Sequence, residues 1–390
     1  MQSPPSTQQN PWTVPSATIH QALDVERTQL VDLRSPAEFA DDHLPGAHNA
    51  PFFDDLERAL VGTLYRRRSP DLAFEEGRRI LRERLAPLVA ELAQLRGRPA
   101  PEGDITDHLE RLTTGGLDAV NQALESRPVA ELPTDSLVVH CWRGGLRSSS
   151  LVVLLRALGW RDVFVLEGGY KGYRSRVLEE LSTWQAPPTY VLRGRTGVGK
   201  TLVLRELERL RPGLTLDLEG LAGHRSSILG MVGLDPCSQK VFDSRLAARL
   251  RAGFEGPLVV EGESRKVGDS TLPPRVWEGM QHGTNLHLVA PVERRVSVLI
   301  EDYLAHEENR KPLREQLPFI EQRLGPRKWA GELVRLLDEH REKELVETLL
   351  ELYYDPLYAH SEKGREYAAR LDTSDVESVS REILALIDGG

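Results

Sequence analysis

The stretch "GRTGVGKT" at 194–201 constrains the fold of this chain more than any other. It is a G-x-x-x-x-G-K-T phosphate loop, preceded by the apolar "TYVLRG" and followed by "KTLVLRELERL". A strand that turns through glycines into a helix presents its backbone amides to an anion, and the motif has this context. Gly194, Gly197 and Gly199 permit the tight turn around Thr196, Lys200 supplies a point charge, and Thr201 is placed to ligate magnesium. The alternation continues through "LTLDLEG", "SQKVFDSRLAARLRAGF", "GPLVVEGE" and "TNLHLVAPV". Strands alternating with helices imply an α/β fold with a parallel sheet. The motif says that a phosphate or diphosphate binds. It does not say that the ligand is ATP.

Ligands of open parallel sheets bind at the carboxyl ends of the strands. Two strand ends here carry more charge than a core strand needs. "LDLEGLAGHRSS" (216–227) offers Asp217, Glu219, His224 and Arg225, and "VVEGESRKVG" (259–268) offers Glu261, Glu263 and Arg265. Glu219, Arg225, Glu261 and Glu263 are therefore expected around the phosphate site. Glu261 or Glu263 is the candidate second-strand acid for a magnesium ion, with structural ion pairing as the plain alternative.

A second parallel-sheet pattern precedes this one. "QLVDLRS" (29–35), "DSLVVHC" (135–141) and "DVFVLEGGYKGY" (162–173) read as strands, and "SSLVVLLRALGW" (149–160) as a helix. The prolines of "TWQAPP" (183–188) mark a boundary. The expected organisation is an α/β domain at 15–185 with a charged helical insertion at about 52–132, a phosphate-loop α/β domain at 186–291, and a mainly helical region at 292–390.

The first domain's chemistry is expected in "VVHCWRGGLRSSS" (138–150). A strand ending at a thiol, then a glycine turn into a helix, bends amides inward as an anion cradle. Gly144 and Gly145 let the backbone curl, and Arg143 and Arg147 lower the pKa of Cys141, which is expected as a thiolate near neutrality. Such a thiolate can attack phosphorus, sulfur or selenium. The spacing H-C-x5-R-S also fits cysteine phosphatases, so spacing alone leaves the reaction open.

Composition narrows the setting. No run reaches the roughly 18–20 apolar residues of a bilayer span. The start "MQSPPSTQQNPWTVPS" has neither the basic beginning nor the apolar core of a secretion signal. Cys141 and Cys237, the only cysteines, make no disulfide framework or zinc site, so a reducing cytoplasm and no resident metal are expected. A net charge of −9 gives no overall attraction to nucleic acid. RNA contact would need a local patch, and Arg66, Arg67 and Arg68 are the candidate, against the ordinary reading of a solvated helix face.

Taken in order, "LVDLRSPAEFADDHLPGAHNAP", "VVHCWRGGLRSSS" and "FVLEGGYKGY" resemble the rhodanese family of sulfur carriers, which implies that Cys141 carries a chalcogen. The thiol loop is one residue longer than in ordinary rhodaneses, which suits a phosphate or a larger atom. "ERALVGTLYRR", "HCWRGGLRS", "LEGGYKGYR", "GRTGVGKT", "DLEGLAGHR", "VVEGESRKVG" and "LYYDPLY" together resemble the tRNA 2-selenouridine synthases over residues 25–360. The resemblance implies a transferase acting on 2-thiouridine at the wobble position of the tRNA anticodon. It would geranylate the sulfur with geranyl diphosphate, then exchange it for selenium from selenophosphate, drawing on the enzyme that supplies selenophosphate. Cys141 then maps to the selenium-carrying cysteine and Gly194–Thr201 to the diphosphate seat, with no tightly bound cofactor and magnesium as an optional ion. The resemblance also implies an acid within "VVEGES" where this chain has Gly262, and a shorter stretch at 88–128. The competing reading is a rhodanese-type cysteine phosphatase or sulfurtransferase fused to a nucleotide-binding, kinase-like domain. It leaves "DLEGLAGHRSS" and "YYDPLY" without a role.

Overall fold

The computed structural model describes residues 13–100, 105–357 and 364–389. The polar lead at 1–12 and Tyr358 of "LYYDPLY" lie outside the described residues. The chain forms two compact units that divide after Val177.

The first unit is built on a parallel sheet of six strands: β1 (Val14–Ala17), β2 (Gln29–Asp32), β3 (His48–Asn49), β4 (Ser126–Pro128), β5 (Leu137–His140) and β6 (Val163–Leu166). Their spatial order is β3-β2-β5-β6-β1-β4. All four residues of β5 and of β6 are buried, as befits strands covered on both faces. β5 pairs with β2 from Gln29↔Leu137 to Asp32↔His140, so the thiol loop leaves the carboxyl edge at the sheet centre. The sheet is anchored by a buried ion pair within "LVDLRS": Arg34 Nη2 lies 2.6 Å from Asp32 Oδ2, with both side chains almost without exposure. The Arg34 guanidinium also stacks 3.6 Å from the Tyr170 ring centroid, and Tyr170 donates to Asp42 Oδ2 at 2.9 Å.

The insertion is helical. Its elements are Asp55–Arg67, Pro70–Leu95, Ile105–Thr113 and Gly116–Ala123. Asp54 caps the first, accepting from the Glu57 amide while Glu57 reaches back to the Asp54 amide, and Pro70 opens the second. Ile80, Leu81, Leu85, Leu88 and Leu92 of the second helix join the core of the unit, so the insertion is packed structure rather than an appendage.

The second unit carries a parallel five-stranded sheet: β7 (Thr189–Arg193), β8 (Thr215–Leu216), β9 (Leu258–Glu261), β12 (Thr284–Val289) and β13 (Ala369–Asp372), in the order β13-β12-β7-β9-β8. A small antiparallel hairpin, β10 (Lys266–Val267) and β11 (Ser270–Thr271), follows β9. Helices from Val292–Leu304 to Glu342–Leu349 form a separate apolar cluster. The C-terminal region is mainly helical as expected, with one addition: β13 returns to pair with β12, and the closing helix Val376–Gly389 packs on the same core.

Candidate functional site

The first unit presents the thiol. Cys141 follows β5 directly and is 4% exposed. Gly144 has φ +65°, and a Cβ there would stand 2.4 Å from the Leu166 carbonyl oxygen, so this position requires glycine. Gly145 has negative φ and open space around it, so only the first of the two glycines is demanded by the backbone. The "EGGY" turn clamps the loop from below: Tyr170 N–H donates to Cys141 O at 3.0 Å and Lys171 N–H to Trp142 O at 2.9 Å.

Burial alone would push the Cys141 thiol up. The Arg147 charge, the Ser148 hydroxyl 3.4 Å from Sγ, and the amides of Ser148 and Arg143 outweigh it, so the thiol lies below its ordinary value. Arg147 contributes through its charge, whereas Arg143 contributes through its backbone amide and its side chain is exposed. Arg147 Nη1 is buried without a hydrogen-bond partner. A buried guanidinium nitrogen left without a hydrogen-bond partner in the thiol loop suits an incoming oxyanion. His140, fully buried before the cysteine, is held down to about 4 mainly by burial and stays neutral.

The second unit presents the phosphate loop. Gly194, Gly197 and Gly199 have φ of +153°, +80° and +86°, and a Cβ at Gly194 would stand 2.5 Å from the Leu288 carbonyl oxygen. Lys200 Nζ donates to Gly194 O at 3.3 Å, bridging the loop. Thr196, Lys200, Thr201, Glu219, Arg225 and Glu263 line one cavity of about 80 Å³, and Glu261 is not among the residues that line it. Arg225 is already engaged: it donates to the carbonyls of Val232 and Asp302 and lies 4.7 Å over the Tyr303 ring.

The acids form a stack at the ends of β8 and β9. Glu219 N–H donates to Glu261 Oε1 at 2.8 Å, and Thr201 Oγ1 stands 3.5 Å from Glu219 Oε2. Burial, then the charge of Glu263, raises Glu219 to about 7, and burial with the neighbouring acids raises Glu261 well above its usual range. Glu261 is fully buried, and its Oε2 has no partner. Among the described residues no group of three or more His, Cys, Asp or Glu is placed to hold a metal ion alone. Thr201 and Glu219 beside a bound phosphate nevertheless fit magnesium, which takes few protein oxygens and completes its shell with phosphate and water. Gly262 packs against Arg193: a Cβ there would stand 2.4 Å from Arg193 Cδ.

Sequence reasoning missed the clasp behind this loop. Arg295, 3% exposed, donates through Nε to Thr196 O at 2.9 Å, and its Nη2 lies 2.6 Å from Asp355 Oδ1. Arg195 Nη1 reaches the same carboxylate at 3.1 Å. The Asp355 of "LYYDPLY" therefore fixes the phosphate loop. The motif was the available signal, but its partner was not readable.

Of the basic run, Arg66 lines the cavity over Cys141 and donates to Gly62 O, while Arg67 and Arg68 are exposed at the helix end. Arg78 and Arg79 are engaged with Glu75 and Glu110, and with Glu76 and Glu83.

Comparison with known proteins agrees with this architecture. Residues 16–80 and 104–176 match the rhodanese-like domain, the interruption falling in the helical insertion. Residues 187–385 match the tRNA 2-selenouridine synthase AAA domain. A tRNA 2-selenouridine synthase of Cupriavidus pinatubonensis is 32% identical, covering 90% of this chain and 92% of its own length. Proteins of the same name from Hydrogenovibrio crunogenus and Chromohalobacter salexigens are 28% and 31% identical, covering 90% of this chain and 94% and 92% of their own. The domain pair together with the name shared by these relatives makes this an enzyme of the transferase class. The chain belongs to the tRNA 2-selenouridine synthase family.

Proposed function

We propose that this enzyme converts 2-thiouridine at the wobble position of tRNA into 2-selenouridine through an S-geranyl intermediate. In the first step the base sulfur forms a bond to the geranyl carbon as the carbon–oxygen bond to diphosphate breaks. Diphosphate leaves with the electron pair, and the base loses its N3 proton. The phosphate-loop amides and Lys200 receive that developing charge. Thr201 and Glu219 would hold a magnesium ion, which would supply further neutralisation of diphosphate charge.

In the second step selenium from selenophosphate replaces the S-geranyl group. The selenium pair makes the bond to C2, geranylthiolate leaves with the C2–S pair, and water takes the phosphoryl group as phosphate. Cys141 is the selenium-handling residue, with Arg147 and the loop amides seating the donor's oxyanion. The proposed tRNA surface is the exposed run Arg66, Arg67 and Arg68. Charge reversal there should weaken tRNA binding, with unchanged affinity moving the surface elsewhere.

The observation that carries the reading is the buried Cys141 with its lowered pKa beside the open Arg147 nitrogen. Selenophosphate itself comes from a separate supplying enzyme. Mass spectrometry of wobble nucleosides, from cells with the native gene and with Cys141→Ser, tests it. The native gene should give 2-selenouridine, and the variant should accumulate S-geranyl-2-thiouridine. Selenouridine from the variant would remove Cys141 from the reaction.

A further inference from the structure

A cavity of about 740 Å³ opens onto Cys141 within the first unit, inside the range of about 300–1,000 Å³ typical of small-molecule sites. At one end are Cys141, Gly145 and Arg147 of the thiol loop. The remaining wall comes from the insertion and the turn before it and is more apolar than polar: Phe52, Phe53, Val61, Phe74, Leu81 and Leu109 supply its apolar part, and Arg58, Arg66 and Arg78 also line it. Phe53, Leu81 and Leu109 are also core residues of the unit, at 5%, 4% and 1% exposure, so this part of the wall is fixed by packing. The Arg147 guanidinium carbon lies 6.0 Å from the Phe53 ring centroid, where the polar end meets the apolar wall.

Neither candidate reactant of the thiol loop explains this lining. Selenophosphate is a small anion, served by amides and guanidinium. A pyrimidine presents a polar edge and a flat face, and it needs no apolar chamber of this size. We propose that the cavity binds the ten-carbon prenyl chain of the S-geranylated base while selenium replaces it, an inference that rests on the two-step reading above. The chain begins at the sulfur bonded to C2, the carbon that selenium attacks. Any productive pose at Cys141 therefore brings the first prenyl carbons to the thiol loop, and the apolar wall receives the rest. The insertion then acts as a reader of the first step. An unalkylated 2-thiouridine offers the cavity nothing to bury, so the second site takes up a base only after prenylation.

The test compares two anticodon stem–loops with the full-length enzyme and selenophosphate, one bearing S-geranyl-2-thiouridine and the other S-methyl-2-thiouridine. Both lose a simple alkylthiolate, so their kcat/KM ratio isolates recognition of the chain. Because a methylene in an apolar pocket is worth about tenfold or more, the native enzyme should prefer the geranyl substrate by well over that factor. Val61→Trp fills the cavity and Phe74→Ser makes its wall polar; each should lower the preference at least about tenfold. The ratio does not depend on the fraction of enzyme that is folded, so a partly unfolded variant still reports the preference. Equal use of both substrates by the native enzyme, or an undiminished preference in both variants, overturns the prenyl site. Failure of the native enzyme to selenate either substrate overturns the two-step reading instead.

Discussion

At Cys141 burial and charge pull in opposite directions, and the balance rests on Arg147. A thiolate exists above the thiol pKa, so a cation that lowers the pKa moves the onset of reactivity to lower pH. Arg147→Gln removes the charge and should move the pH midpoint of Cys141 alkylation upward, slowing the reaction near neutrality. A midpoint left in place would show that the Ser148 and Arg143 contacts suffice. Cys141, Arg147, Lys200 and Thr201 were legible in the sequence because each sits in a short motif whose geometry follows from its spacing. Arg295 and Asp355 were not, since they meet across 60 positions and nothing local to either names the other. The Arg143 amide also bears on the thiol, a backbone contact that side-chain identity does not announce.

Between elements, the clasp behind the phosphate loop is the informative case. Helix Val292–Leu304 contributes Arg295, the π-helical turn Leu350–Tyr354 leads directly to Asp355, and their ion pair carries a hydrogen bond onto Thr196 O. Asp355→Ala would leave the buried Arg295 charge without its carboxylate. The loss should be about 2 kcal/mol, below the roughly 3–5 of a fully buried pair because Asp355 keeps some solvent. Denaturant unfolding measures it, and a matching fall in diphosphate affinity should accompany it. A stability loss with unchanged affinity would make the clasp purely structural. The strands show why some elements escaped sequence reading. β5 and β9 are continuous apolar runs and announce themselves, whereas β13 has the pattern "ARLD" with a single buried residue. It is a strand because β12 offers it a parallel edge, which no local propensity records. The cavity over Cys141 was hidden in the same way: helices of the insertion, the turn at Phe52 and Phe53 and the thiol loop all contribute to its lining.

At the scale of the molecule, the residues lining the thiol cavity all precede Val177, and those lining the phosphate-loop cavity all follow it. The two steps of the proposed reaction, if each belongs to one of the two separately cored units, should be separable by substitution. Lys200→Ala removes the ammonium that spans the phosphate loop, so geranyl diphosphate binding should weaken and prenylation should stop. The cysteine loop is untouched by that change. Supplied with tRNA already carrying S-geranyl-2-thiouridine, the Lys200→Ala enzyme should form 2-selenouridine at a rate near the native one, whereas Cys141→Ser should fail on the same substrate. Single-turnover assays with selenophosphate distinguish the outcomes. If pre-geranylated tRNA does not rescue Lys200→Ala, the phosphate loop also serves selenation, and the assignment of one step to each unit falls.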